Sequence, residues 1–273
     1  MSPAVMLRGI GFYVLIAVLL VFFAVPMLWL VTEPFDANPG LDAHWPQWTL
    51  GNFARTFHNP YALSSLVNSL LLCGVATVIT CAFAALAAYA LSRVRIPGRD
   101  VLLYVLLLLS SVVTGTAAMV PIFVLLDELG LIDSLYGAAV VLAGGLLPAA
   151  IFMLKDFVDS VPKSYEESAR VFGASPWQVL RHVVLPISRP GIATILVWAF
   201  TNAWGNFLLP FLVLQDVDKQ PAAVILHTLQ NDGGGADLTT IPVFSLLYSI
   251  PVVVLYLLVS RRYGFRFYGG IKG

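Results

Sequence analysis

Two asparagines and a tryptophan on one apolar stretch are the residues of this sequence best suited to handling a solute. Asn202 and Asn206 stand four apart, so a helix places both amides on one face, while Thr201, Trp204 and Leu208 share another. An amide can bond sugar hydroxyls, and an indole ring can stack on the C–H face of a sugar. The two faces diverge, so they cannot both point straight at one axis. Thr114, with Ser110, Ser111 and Thr116 around it, adds hydroxyls on an earlier apolar stretch. All of these residues equally suit a structural task, hydrogen bonding between packed helices. Nothing in the sequence is equipped to break a bond. It has no Gly-x-x-x-x-Gly-Lys-Ser/Thr, no His-Glu-x-x-His and no Gly-x-Ser-x-Gly. His44, His58, His182 and His227 fall on different loops, and Cys73 and Cys81 lie about 12 Å apart along one helix, beyond disulfide reach. Neither a metal site nor a cofactor site is expected in this chain.

The elements that must position these residues belong in a bilayer. Hydrophobic residues make up 59% of the 273 and charged residues 11%, with a formal net charge of zero. Mean hydropathy is +0.88. Such a composition excludes a soluble domain, and the neutral balance gives no sign of nucleic acid as a partner. Six stretches reach the length of about 20 apolar residues that a transmembrane helix needs, at 11–31, 66–91, 101–126, 135–154, 187–214 and 241–260. The first is too long for the apolar core of a signal peptide and is expected to stay as an anchor. With the N-terminus inside, only Arg55 and Lys219 of the 15 Lys and Arg residues fall outside, so both termini are expected in the cytoplasm. The outer loops collect acidic residues instead. The first, 32–63, carries Pro34, Pro39, Pro46 and Pro60 with Trp45 and Trp48, suiting irregular backbone against the membrane interface. The third contains Gly233, Gly234 and Gly235 and reads as a flexible linker.

One long charged interruption, from Val161 to Pro190, breaks the apolar second half. Ser164 three residues before Glu167 predicts a capping box, and Gly173 predicts a left-handed end to that first helix. Ser175, Pro176 and Gln178 predict a second box with proline at the first helical position, and Pro186 and Pro190 limit the second helix. On the first helix Tyr165, Ala169 and Phe172 share a face, while Glu166 and Arg170 pair at i, i+4. The pattern alone describes an amphipathic helical hairpin between two spans.

Glu167-Ser168-Ala169, then Gly173 six residues after the Glu, then Leu185-Pro186, resembles the EAA loop of ABC-importer permeases. Ser168 stands where that motif usually has Ala. The resemblance implies that this loop, 161–186, is the cytoplasmic coupling element that sits in a cleft of an ATPase subunit. Its coupling residues would then be Glu166, Glu167, Ser168, Ala169, Arg170, Phe172, Gly173, Leu185 and Pro186. Asn68-Ser-Leu70, Ala88-Tyr-Ala-Leu-Ser-Arg93, Pro121-Ile-Phe-Val-Leu-Leu126 with Gly130-Leu-Ile-Asp133, and Gly269-Gly-Ile-Lys-Gly273 look like carbohydrate permeases of the maltose-transporter type. Trp204-Gly-Asn-Phe207 is similar to that family's Trp-Asn-x-Phe stretch, with Gly205 in place of the Asn.

What the resemblance implies is an all-α, single-domain permease of six spans in a prokaryotic cell membrane. It would pair with a second, homologous permease, two ATPase subunits that bind ATP and Mg, and an extracytoplasmic binding protein. The expected cargo is a neutral di- or oligosaccharide, because no span interior offers an Arg or Lys to an anion. Glycerol phosphate or another polyol derivative is the alternative cargo. An ion-coupled secondary carrier would place an ionisable residue at mid-membrane, where the spans show none. A membrane-bound enzyme would need a catalytic cluster, which is likewise missing.

Overall fold

In lipid the backbone has only its own N–H and C=O groups to bond with, so long apolar stretches are expected to coil into helices. The structure, a computed structural model, describes residues 3–40, 45–94, 97–113, 116–231 and 237–263. Its helices in chain order are α1 (Pro3–Thr32), α2 (Gly51–His58), α3 (Pro60–Arg93), α4 (Arg99–Val113), α5 (Met119–Glu128) and α6 (Leu135–Asp159). There follow α7 (Lys163–Val171), α8 (Pro176–Val179), a π-helical turn at Leu180–Val184, α9 (Leu185–Ile187), α10 (Arg189–Trp204), α11 (Leu208–Val213), α12 (Ala222–Asn231) and α13 (Thr240–Tyr263). The all-α expectation holds. Among the described residues the extended pairing is one isolated antiparallel bridge, Asp36 to Trp48.

Among the described residues, four helical segments are long and apolar enough to cross a bilayer: Gly11–Phe35, Pro60–Arg93, Leu135–Asp159 and Thr240–Tyr263. They contain four of the six expected spans. The other two are not continuous helices. Residues 101–126 divide between α4 and α5, with a 3-10 turn at Thr116–Ala118 before α5. Residues 187–214 divide between α10 and α11, for a visible reason. Asn206 Oδ1 accepts from Leu209 N at 3.3 Å, starting a new helix, and Pro210 has no N–H to continue the old one. Upstream, Pro176–Ile187 and Arg189–Trp204 meet at 77°, with Ser188 at the bend.

The chain falls into two compact units, the residues up to Ala62 with Leu226–Ile250, and Leu63–Ile225 with the chain from Pro251 onward. In the first, α1 exposes Phe12, Phe22 and Phe23 on its surface, as a helix bathed in lipid would. The loop after it is tied rather than loose. Glu33 Oε1 accepts from Gly40 N at 2.6 Å, Asp36 Oδ1 from Asn38 N and Gln47 N, and Asn52 Nδ2 donates to Asp36 O at 2.6 Å. Asp237 Oδ1 accepts from Thr239 N and Thr240 N at the head of α13. Partial burial alone would raise the Asp237 carboxyl, but the Thr240 and Thr239 hydrogen bonds and the nearby positive Arg55 outweigh it and hold the group below its usual range.

In the second unit α4 and α10 pack on α6, and α11 packs on α5 and α6. Small residues allow close approach. A Cβ on Gly191 of α10 would come within 2.4 Å of the Phe157 ring of α6. Ala84, Ala88 and Leu91 of α3, Leu103 of α4, Ala150, Ile151, Leu154 and Val158 of α6 and Ile195 of α10 form one buried apolar core. The far end of α3 is held by polar bonds. Asn68 Nδ2 donates to Asp218 O at 2.8 Å and Gln220 O at 3.3 Å, and Ala222 N donates to Ser69 Oγ at 2.7 Å.

Candidate coupling hairpin and solute cleft

The charged interruption folds as two helical pieces around a left-handed turn. Gly173 has φ +84°, its N–H donates to Arg170 O at 2.9 Å, and Ala174 N donates to Ala169 O at 3.1 Å, a Schellman closure. The second capping box is formed, with Gln178 N donating to Ser175 Oγ at 3.3 Å and Ser175 N to Gln178 Oε1 at 2.8 Å. Pro176 occupies the first turn of α8. The first capping box is absent. Pro162, with φ −59° and ψ 129°, takes the N-cap position, so Ser164 falls inside the first turn and has no cap to make. Pro186 does not end the second piece either. The π-turn at Leu180–Val184 precedes it and the helix runs on to Ile187, where the 77° bend begins.

The two adjacent carboxylates of α7 differ in exposure. Glu167 is exposed. Glu166 is 3% exposed and forms an ion pair with Arg93 at the end of α3, Nε to Oε1 2.5 Å, while Tyr89 OH donates to its Oε2 at 3.3 Å. The expected Glu166–Arg170 pair is long, at 4.0 Å, with Arg170 largely exposed. Arg93 does more than neutralise Glu166. Its Nη1 donates to Ser92 Oγ at 2.8 Å and its Nη2 to Val158 O and Val161 O, both at 3.0 Å. Beside it Ser92 Oγ donates to Asp159, which also pairs with Lys155 at 2.6 Å. Arg93 and Tyr89 lie in the Ala88–Arg93 motif, but nothing in that motif says which residue lies opposite. Their i, i+4 spacing on α3 is the one signal that they act together.

With its carboxylate turned inward, the hairpin turns Tyr165, Val171, Phe172 and Trp177 outward. Phe172 is 91% exposed and Val171 84%, and Tyr165 and Trp177 are more than half exposed. A groove of about 380 Å3 runs between the helical pieces, lined by Ala169, Phe172, Gly173, Ala174, Gln178, His182 and Val183. Leu185 and Pro186, farther along the chain, are half-buried and do not line it. An uncovered apolar face on a well-capped hairpin is suited to lie in the groove of another protein.

Of the two faces that diverge around residue 204, the asparagine face meets a cavity. Asn202 and Asn206 line a cleft with Met119, Ile122, Val141, Leu142, Gly145, Leu146 and Leu209, leaving about 30 Å3 of free space, enough for a water-sized group. Asn202 Nδ2 donates to Trp198 O at 2.8 Å, which leaves its amide oxygen for a further partner. Trp204 is elsewhere. It is 4% exposed and stacked on Phe200, centroids 5.3 Å apart. Thr114 lies outside the described residues. Gly205 has an ordinary φ of −81°, and a Cβ there would sit 3.6 Å from Thr201 O, so the backbone does not require glycine.

Residues 82–265, which hold this hairpin and cleft, match the family described as "Binding-protein-dependent transport system inner membrane component". The chain belongs to that family. It is therefore an inner-membrane transport component with several apolar helices. Among its relatives is the galactooligosaccharides transport system permease protein GanQ of Bacillus subtilis (strain 168), 29% identical over 92% of this chain and 90% of GanQ. Another is the maltodextrin transport system permease protein MdxG of the same organism, 27% identical over 96% of this chain and 95% of MdxG. The fold is similar to that of a bacterial ABC transporter involved in the import of the acidic polysaccharide alginate. The TM-score is 0.82 over 96% of this chain and 98% of that one, at 22% identity.

Proposed function

We propose that the chain is the permease subunit of an ATP-driven importer for a neutral di- or oligosaccharide. It forms a single domain of six spans, counting 101–126 and 187–214 as broken ones, with both termini and the 161–186 loop in the cytoplasm. The exposed face around Tyr165, Val171 and Phe172 carries this reading, since it offers an apolar surface that nothing among the described residues of its unit covers. The occupant is an ATPase subunit, engaged also by the exposed Glu167, Ser168 and Arg170. ATP and Mg are bound there and not by this chain, which has no nucleotide-binding motif. A second, homologous permease, a second ATPase copy and an extracytoplasmic binding protein complete the assembly. The sugar passes the Asn202 and Asn206 amides, whose donors and acceptors match hydroxyls. The cargo names of GanQ and MdxG support an oligosaccharide.

The deciding experiment reconstitutes the complex in vesicles and compares ATP-dependent uptake of a neutral trisaccharide with that of glycerol phosphate. Uptake of the sugar alone, lost when Gly173→Asp re-aims the hairpin and releases the ATPase, is the expected result. Selective uptake of the phosphate overturns the cargo. Rapid labelling of a cysteine at position 170 by an impermeant reagent on intact cells overturns the topology.

A further inference from the structure

The chain itself joins α7 to α6 through residues 160–162, yet the ion pair of α7 goes to a different helix. Both carboxylate oxygens of Glu166 are held by α3, one by Arg93 and the other by Tyr89. At its opposite end α3 grips the segment that follows α11, through Asn68 to the carbonyls of Asp218 and Gln220 and through Ser69 to the N–H of Ala222. That segment is itself closed, because Gln220 Nε2 donates to Leu214 O at 3.0 Å and Asp133 Oδ1 accepts from Gln215 N and Asp216 N. We propose that α3 is a connecting rod, latched to the coupling hairpin at Arg93 and to the 214–222 segment at Asn68, that carries ATPase motion across the membrane.

Three features support a rod rather than a tether. Between Asn68 and Arg93 the helix is unbroken and has no proline, a span of about 37 Å along its axis. Its two latches are directional polar bonds, which hold a register where apolar contacts would slide. The inner latch is nine-tenths buried, so water does not compete for it. Val171 and Phe172 stay free for the ATPase while Glu166 pulls on α3. Arg93, Glu166, Asn68 and Ser69 are positioning residues, acting on transport through the helix between them.

The proposal rests on the importer reading above, and the test separates the two. ATP hydrolysis by the reconstituted complex is measured with and without its binding protein loaded with maltotriose or galactotriose. Stimulation by a protein on the far side of the membrane reads transmembrane coupling. Glu166→Gln and Asn68→Ala are each expected to lower that stimulation about tenfold. The double variant is expected to lose no more than either single one, because the two latches lie in series on one rod. Independent sites so far apart would combine multiplicatively. A multiplicative double variant, or full stimulation in Glu166→Gln, overturns the rod. Where Glu166→Gln or Asn68→Ala fails to assemble, Arg93→Lys and Ser69→Ala serve as the inner and outer variants with the same forecast. No stimulation in the wild-type complex overturns the importer reading, and the rod with it.

Discussion

The α7 helix meets the rest of its unit mainly through one carboxylate, whereas the piece from Pro176 to Val184 meets it through Val179, Leu180 and Val184, all buried in the apolar core. The α7 residue with an apolar inward side is Ala169, and one methyl contributes only about 0.8 kcal/mol. Attachment by apolar area is graded: each methyl removed weakens it a little. Attachment by a buried ion pair is closer to all-or-none, because removing one partner strands the other charge in a poorly solvated place. The pair also fixes direction, through the fork of Arg93 and its four acceptors. A hairpin held by area alone could rock on the core; one pinned at Glu166 moves with what it is pinned to.

Arg93→Ala should break the comparison most sharply. It leaves Glu166 buried and uncompensated, and is expected to destabilise the unit by about 3–5 kcal/mol, read as the melting of the detergent-solubilised complex. Adding Glu166→Ala should recover part of that loss. A single-variant cost within the range of surface substitutions would mean that α7 is held some other way. Val184→Ala tests the graded side, with an expected loss of about 1–2 kcal/mol from two methyl groups and the space they leave. Replacing it by Ile or Leu should tell whether that site is already full. Ser175→Ala removes one half of the formed capping box and should cost about 1 kcal/mol, while Ser175→Asp should cost much less. Gly205→Asn, outside the hairpin, should change stability by no more than about 0.5 kcal/mol, since its φ is ordinary and its surroundings open. A large loss there would show that glycine is needed for something beyond backbone geometry, and uptake measurements on the folded variant would locate it.

What could be read from the sequence was what neighbours decide. Gly173, Ser175, Pro176 and Gln178 act on residues within one turn, and each does what its type and spacing imply. The Ser164–Glu167 box was also a local pattern, but Pro162 started the helix earlier and the Glu166–Arg93 pair set its rotation, a contact 73 residues away in sequence. No spacing rule reaches that far. The apolar spans were legible as composition, yet the break in 187–214 was not, because Asn206 and Pro210 sit among residues apolar enough to hide it. The asparagine and tryptophan faces could be separated by period but not assigned. Packing decided it, by stacking Trp204 on Phe200 and leaving the amides at the cleft.

Glu166 and Glu167 are consecutive, about 100° apart around α7, so one looks to its own chain and the other away. For anyone building chimeras between permeases, the hairpin is consequently not a cassette that can be cut at 161 and 190. Its matching half lies in another part of the chain, at Tyr89 and Arg93, and a graft lacking them would carry an orphaned carboxylate. Deleting a single residue between Pro162 and Glu166 would turn Glu167 inward and Glu166 outward at a stroke. The exchangeable unit is the loop together with the last turn of α3.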